Sequence, residues 1–178
     1  MNKKVFEIYP IPWQNPSEWF LFLNFVESYF IQQQITNPVV VELGVYENKQ
    51  RIFYEFGLGA TCIGIDSSAE KSTPDILGDT HDPKTLEQLK LILKVRRIDL
   101  LFIDACHTYE SVKKDYEIYS PYVTGIVALH DIFNQKYEVE KFWNELTTKK
   151  QGMDGKSFVT IHAKKGFANH GIGIVIGE

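Results

Sequence analysis

Apolar residues change their period several times along this chain, and the changes mark out its elements. Asn15-Pro16-Ser17-Glu18 has the form of a helix start. Apolar residues then recur at Trp19, Phe20, Phe22, Leu23, Phe25, Val26 and Phe30, which predicts an aromatic-rich amphipathic helix. Asn37-Pro38 ends it. Val39 to Gly44 (VVVELG) is short, β-branched and nearly all apolar, the pattern of a strand buried on both faces. Strands and helices alternate from there. Lys49 to Phe56 predicts a helix closed by Gly57 and Gly59, and Ala60 to Asp66 (ATCIGID) a second strand. Pro74 to Asp79 predicts a short third strand. A helix follows from Lys84 to Leu93, with Pro83 in its first turn. Ile98 to Asp104 (IDLLFID) is the fourth strand, Thr108 to Tyr119 a helix stopped near Pro121, and Thr124 to Asp131 (TGIVALHD) the fifth strand. Tyr137 to Thr147 predicts a further helix. Ser157 to His162 and Gly171 to Ile176 predict two closing strands in a hairpin.

Such alternation implies right-handed crossovers and a parallel sheet with helices on both faces. The expected fold is α/β: a doubly wound, mostly parallel seven-stranded sheet with an antiparallel C-terminal hairpin. The expected organisation is a single domain over residues 1–178, with an N-terminal helical segment (1–37) and an α/β core (38–178). In open sheets of this kind, ligands bind beyond the carboxyl ends of the strands, where strand order reverses. Four predicted strands end in an acid: Glu42, Asp66, Asp104 and Asp131. Asp79 ends the short third one. Five acids at equivalent positions predict a cleft built from carboxylates.

Composition narrows the partners. A 44% hydrophobic content with 12 Phe, 9 Tyr and 3 Trp is enough for one sizeable core. The net charge of −4 disfavours a nucleic-acid partner. Cys62 and Cys106 fall in segments read as buried or nearly so, and resemble neither a disulfide framework nor a zinc knuckle. The N-terminus has no long apolar run, because Glu7, Pro10 and Pro12 interrupt it. The stretch near Trp19 to Val26 is too short to cross a bilayer. The expectation is a cytoplasmic protein with no membrane partner.

The loop Gly44-Val45-Tyr46-Glu47-Asn48-Lys49-Gln50 lacks the G-x-G-x-x-G fingerprint of a dinucleotide site. Glu42 and Glu47 also repel phosphate: two like charges about 4 Å apart cost roughly 4 kcal/mol at an effective dielectric near 20. These points argue against NAD, FAD and ATP. A cationic nucleoside cofactor fits better, and S-adenosylmethionine carries a sulfonium and an ammonium but no phosphate. Asp66 is placed to accept from ribose hydroxyls, and Asp79 lies near the adenine or ribose edge.

The segment IDLLFIDACHTYE (98–110), followed by Asp115, Tyr119-Ser120-Pro121 and Leu129-His130-Asp131-Ile132, carries a resemblance. With VVELG and GDTHDP, it resembles the class I S-adenosylmethionine-dependent methyltransferases. The similarity is to the small branch of cephalosporin hydroxylase-like and macrocin-type O-methyltransferases, over about Gln14 to Trp143. It implies a Rossmann-like sheet with an antiparallel last strand. It also implies that Glu42, Gly44, Asp66 and Asp79 line the cofactor site. The family usually has glycines where this chain has Asn48 and Lys49, and a glycine in place of Ala105. Asn48 tolerates the left-handed turn, whereas alanine does not easily take positive φ.

Asp104 and Asp131 end neighbouring strands and, with His130, offer ligands to a divalent cation such as Mg²⁺. The alternative is that Asp131 caps the next segment and His130 hydrogen-bonds in the core. His107 follows Asp104 and is either a general base or a structural partner of Asp104 or Asp131. Tyr109 packs a helix start. Asp115 lies on a solvated face or pairs with Lys113 or Lys114. His81 touches the cofactor or belongs to a loop whose Asp82 caps a helix. His162 and His170 read as surface residues, and Phe142 and Trp143 as core. Trp13 packs or folds over the cofactor, and Gln14 is assigned to the cofactor site. Loops 133–137 and 149–156 border an open cleft suited to a hydroxylated small molecule or a glycan. Exposed aromatics on the N-terminal helix permit a homodimer. The leading expectation is O-methyl transfer. Two others stand beside it: a non-catalytic or weakly cofactor-binding module of an assembly, motivated by the glycine-poor loop, and a metal-dependent hydrolase using Asp104, Asp131 and His130.

Overall fold

The computed structural model of the chain describes all residues except 11, 13, 149–154, 163–169 and 178. Each strand forms where β-branched and apolar residues run together. In chain order they are β1 (Val39–Leu43), β2 (Thr61–Asp66), β3 (Ile76–Leu77), β4 (Ile98–Ile103), β5 (Val123–His130), β6 (Ser157–Ile161) and β7 (Ile172–Ile176). They form one seven-stranded sheet in the order β3-β2-β1-β4-β5-β7-β6. Pairings among β1 to β5 are parallel, while β7 runs antiparallel to both β5 and β6. This is the doubly wound sheet and antiparallel hairpin expected from the alternation of elements. Strand order reverses between β1 and β4, and their carboxyl ends are Leu43-Gly44 and Ile103-Asp104.

The helices are α1 (Val5–Ile8), α2 (Pro16–Gln32), α3 (Pro83–Leu93), α4 (Tyr109–Tyr119) and α5 (Val139–Thr148). Their starts follow the capping signals in the sequence. Asn15 accepts from Ser17 N at 3.0 Å, with Pro16 in the first turn of α2. Asp82 accepts from Lys84 N at 2.9 Å, and Thr108 from Ser111 N at 3.3 Å. Two elements depart from expectation. The segment after β1 becomes helical at residue 51, and its middle, Phe53–Gly57, is a π-helical turn. The third strand shrinks to two residues. Asp75, at its start, is committed instead to Gly64 N and to the Arg51 guanidinium.

Strand alternation divides the core into two layers. Val39, Val41, Leu43, Leu101, Ile103, Val127 and Leu129 face α3, α4 and α5, where Leu89, Tyr116, Phe142 and Trp143 meet them. Val40, Leu100, Phe102, Ile126 and Ala128 face α2, under Trp19, Phe22, Leu23 and Val26. Trp19 is wholly buried, with its ring 5.7 Å from those of Tyr54 and Phe102. Among the described residues no helix is long and apolar enough to cross a membrane. Trp19→Ala empties the centre of the α2 layer. It is expected to lower stability by about 3–5 kcal/mol, read as a reduced midpoint in urea with no change in slope.

Candidate active site at the carboxyl edge of the sheet

The site begins where β1 and β4 end side by side. Gly44 has φ +85°, and a Cβ there would stand 2.3 Å from the Asp104 carbonyl oxygen. No other residue fits between the two strand ends. The following loop turns without further glycines. Tyr46 and Asn48 both take left-handed backbone, with φ 46° and 57°. Asn48 suits that role, while Tyr46 was not foreseen in it. Asp66 holds the loop, its Oδ2 accepting from Val45 N at 2.8 Å and Tyr46 N at 2.9 Å. Ala105 is not among the positive-φ residues, so its methyl group needs no strained backbone.

Two lobes open around Gly44, Tyr46, Asp104 and His107, which line both. The first, about 590 Å³, is walled by Asp66, Ser67, Asp79, Thr80, His81, Ala105, Cys106 and Ser111. That is an ordinary size for a small-ligand pocket. The second, about 380 Å³, adds Glu47, Lys49, Gln50, His130, Asp131, Tyr137 and His170. Asp66 and Asp79 therefore stand where the sequence put them, on one lobe at the ends of β2 and β3.

Glu42 differs. Its carboxyl group is wholly buried on the α2 layer and makes no hydrogen bond among the described residues. Burial, then the charge of Asp104, push its pKa well above the ordinary carboxylate value. It is not part of either lobe's wall. Gln14, at 7% exposure, donates from Nε2 to Asp104 Oδ2 at 3.0 Å.

The centre of the site is a cluster of Asp104, His107, His130 and Asp131, whose ligand-type atoms lie within 4.8 Å of one another. Asp104 and His130 follow Phe102 and Ala128 on the α2 face, and the β4–β5 register puts them side by side. Alternation alone would send Asp131 to the opposite face. Its left-handed φ of 61° breaks the alternation and brings its carboxylate into the cluster. His107 Nε2 lies 3.2 Å from Asp104 Oδ1 and 3.3 Å from Asp131 Oδ2. His130 Nδ1 lies 3.0 Å from Asp104 Oδ1. The His107 ring stacks on Tyr137 with centroids 4.2 Å apart.

Charge follows from this geometry. Burial opposes the charged form of His107, but hydrogen bonds to Asp104 and Asp131 outweigh it and hold the imidazole up to about 10. Burial likewise opposes the Asp104 and Asp131 carboxylates, and the histidines outweigh it and hold both below the ordinary range. The resting cluster is therefore an imidazolium clasped between two carboxylates.

Several expectations change. His170 is not a separate surface residue: its Nδ1 bonds Asp131 Oδ1, and its ring stacks on His130 with centroids 5.3 Å apart. The only sequence signal for it was its place just before the last strand. Asp115 is neither solvated nor paired with Lys113 or Lys114. It is fully buried, and its Oδ1 lies 3.1 Å from His81 Nε2. Cys106 is exposed rather than buried, because it sits beyond the strand end on the cleft wall; Cys62 is buried as expected. His162 lies against Phe133, with ring centroids 4.7 Å apart. The Tyr109 hydroxyl bonds Glu145 and accepts from Lys113. The role of Trp13 and most of the 149–156 loop lie outside the described residues.

Comparison with known proteins agrees with this architecture. A family model described as "Methyltransferase domain" matches residues 59–132, a little under half of the chain. No curated protein sequence matches it. Among solved structures, an O-methyltransferase from Bacillus cereus in complex with SAH superposes with TM-score 0.63 at 12% identity, over 99% of this chain and 90% of that one. The plantazolicin methyltransferase BpumL with SAH gives TM-score 0.61 at 11% identity, over 92% of this chain and 86% of that one. The chain has a class I methyltransferase fold. MycE, the mycinamycin-pathway methyltransferase with Mg and SAH, gives TM-score 0.57 at 17% identity, over 93% of this chain but 56% of its own length. The methyltransferase fold places the β1–β4 switch point, and hence both lobes, where such sheets bind ligands.

His107 leads to a pH prediction. In the unfolded chain its imidazole returns to about 6.5. The folded state thus keeps a proton that the unfolded state has lost. The stability this adds is complete below about pH 6.5 and disappears as pH rises through about 10. Thermal melts in chelator are expected to fall over that window in the natural protein, and to fall less in His107→Gln.

Proposed function

We propose that the protein is an S-adenosylmethionine-dependent O-methyltransferase acting on a hydroxyl group of a small molecule or glycan. The observation that carries this reading is the position of Asp104 and His107, on the wall shared by the two lobes. One lobe has the chemistry of a nucleoside site. Asp66 accepts from Val45 N and Tyr46 N on Oδ2 and from Ser68 N on Oδ1, which leaves Oδ1 a lone pair for a ribose hydroxyl, and Asp79 is 70% exposed at the β3 end. Gly44 lets the β1 and β4 ends close together at the floor of that lobe, where a Cβ would strike the Asp104 carbonyl. The acids suit a cationic ligand and repel phosphate. S-adenosylmethionine, when bound, supplies an electrophilic methyl group. The second lobe then receives the acceptor beside Asp131, Tyr137 and His170.

The chain's own groups supply orientation and proton handling. Asp104 and Asp131 turn one oxygen each toward His107. They are the residues that would hold a divalent cation, with His130 beside them, as the Mg in the MycE complex invites. Such a cation would lower the pKa of a bound hydroxyl. His107 stands between the same two carboxylates and would take the acceptor's proton after giving its own to solvent.

Calorimetry with S-adenosylhomocysteine tests the first half of the reading. Binding is expected, with affinity reduced about ten-fold or more in Asp66→Ala, which loses acceptors for ribose hydroxyls. No heat at millimolar ligand would sink the proposal. Transfer of a labelled methyl group to a panel of hydroxylated acceptors tests the second half. Asp104→Asn is expected to abolish transfer, and an unaffected rate would remove Asp104 from the chemistry.

A further inference from the structure

The two aspartates of the cluster are tied in the same way from opposite directions. Asp104 Oδ2 accepts from Gln14 Nε2 at 3.0 Å, and its Oδ1 is the oxygen facing His107 and His130. Asp131 Oδ1 bonds His170 Nδ1 and accepts from Asn134 Nδ2 at 3.3 Å, and its Oδ2 is the oxygen facing His107. Each carboxylate therefore spends one oxygen on a bracket and presents the other to the cluster.

The brackets come from the two segments that flank the matched methyltransferase region. Gln14 precedes the cap of α2, and His170 precedes β7. Both are anchored. Gln14 is buried next to Asn15, which caps α2. The His170 turn is held where Gly171 N donates to Glu18 Oε2 at 3.1 Å and Phe133 N donates to the His170 carbonyl at 2.9 Å. Glu18 lies in the first turn of α2, so one helix start secures both brackets.

We infer that Gln14 and His170 are positioning residues, each tying off one oxygen of Asp104 or Asp131 so that the remaining two oxygens converge on His107. Without its bracket, Asp131 keeps only the longer Asn134 bond on Oδ1, and Asp104 has no partner left on Oδ2 among the described residues, so either carboxylate can turn and the convergence is lost. Outer partners of this kind typically hold metal-type donors in place, and their removal costs about 10–100-fold in cation affinity. Neither residue lines the nucleoside lobe, and Asp131, which His170 holds, does not line it either. The consequence for turnover rests on the methyltransferase reading, but the geometric part does not.

The test uses Gln14→Met and His170→Leu, which keep bulk and remove the hydrogen bond, and His170→Asn, which keeps a donor near the Nδ1 position. Crystal structures of the three variants read the carboxylates directly. In Gln14→Met, Asp104 is expected to turn Oδ1 away from His107, and in His170→Leu, Asp131 to turn Oδ2 away, with His170→Asn restoring it. Mn²⁺ titration followed by electron paramagnetic resonance is expected to show affinity lowered about ten-fold in the first two and recovered in His170→Asn. S-adenosylhomocysteine affinity is expected to stay within two-fold of the natural protein in the two His170 variants, whose aspartate does not line the nucleoside lobe. Absence of that binding in the natural protein would count against the methyltransferase reading and leave the brackets standing. Both carboxylates unmoved in the first two variants would overturn the inference, whatever Mn²⁺ does. If His170→Leu does not fold, Gln14→Met and the recovery in His170→Asn decide it.

Discussion

One imidazolium between two buried carboxylates governs the carboxyl edge of this sheet. Asp104 and Asp131 sit on adjacent strand ends, and two bare anions at such a distance would repel by several kcal/mol. His107 reaches back from the loop after β4 and places Nε2 between them. His130 beside Asp104, and His107 and His170 beside Asp131, outweigh burial and hold both aspartates below the ordinary carboxylate range. The same contact orders the loop that separates the two lobes, since His107 also stacks on Tyr137 and its carbonyl accepts from Glu138 N. The resting site thus carries its own counter-charge.

The rest of the fold makes that contact possible. Parallel pairing of β1, β4 and β5 brings Gly44, Asp104 and His130 to one edge, and Gly44 lets the β1 and β4 ends touch. Regular alternation accounts for Asp104 and His130 on the α2 face. It does not account for Asp131, which arrives by a left-handed residue. The aromatic layer beneath α2 then fixes the helix whose start supplies Glu18 and follows Gln14. Packing energy far from the cleft is in this way converted into the orientation of a few oxygen atoms.

Much of this was legible in the sequence. VVVEL, TCIGID, IDLLFID and TGIVALH read as buried parallel strands because parallel sheets require continuous apolar runs. The hairpin and the helix starts at Asn15 and Asp82 followed from local chemistry. Strand-end acids located the cleft, because alternation and topology together decide where strand ends point. What escaped depended on contacts between distant segments. His170 lies 39 residues from Asp131, and no local pattern marks the turn that joins them. Asp115 read as solvated or paired with the adjacent Lys113 or Lys114, whereas His81 reaches it from another loop. Glu42 looked like part of an acidic rim, yet its place under α2 buries it completely. The π-helical turn at Phe53–Gly57 had no sequence signature that periodicity detects.

The clasp depends most on the protonation of His107 in the resting protein. Long-range proton–nitrogen correlation spectra of the histidine side chains at neutral pH, with chelator present, read it directly. A doubly protonated His107 ring, with the Nε2 proton shielded from exchange by the two carboxylates, is the predicted result. A neutral His107 ring with one bare nitrogen would contradict the charge clasp.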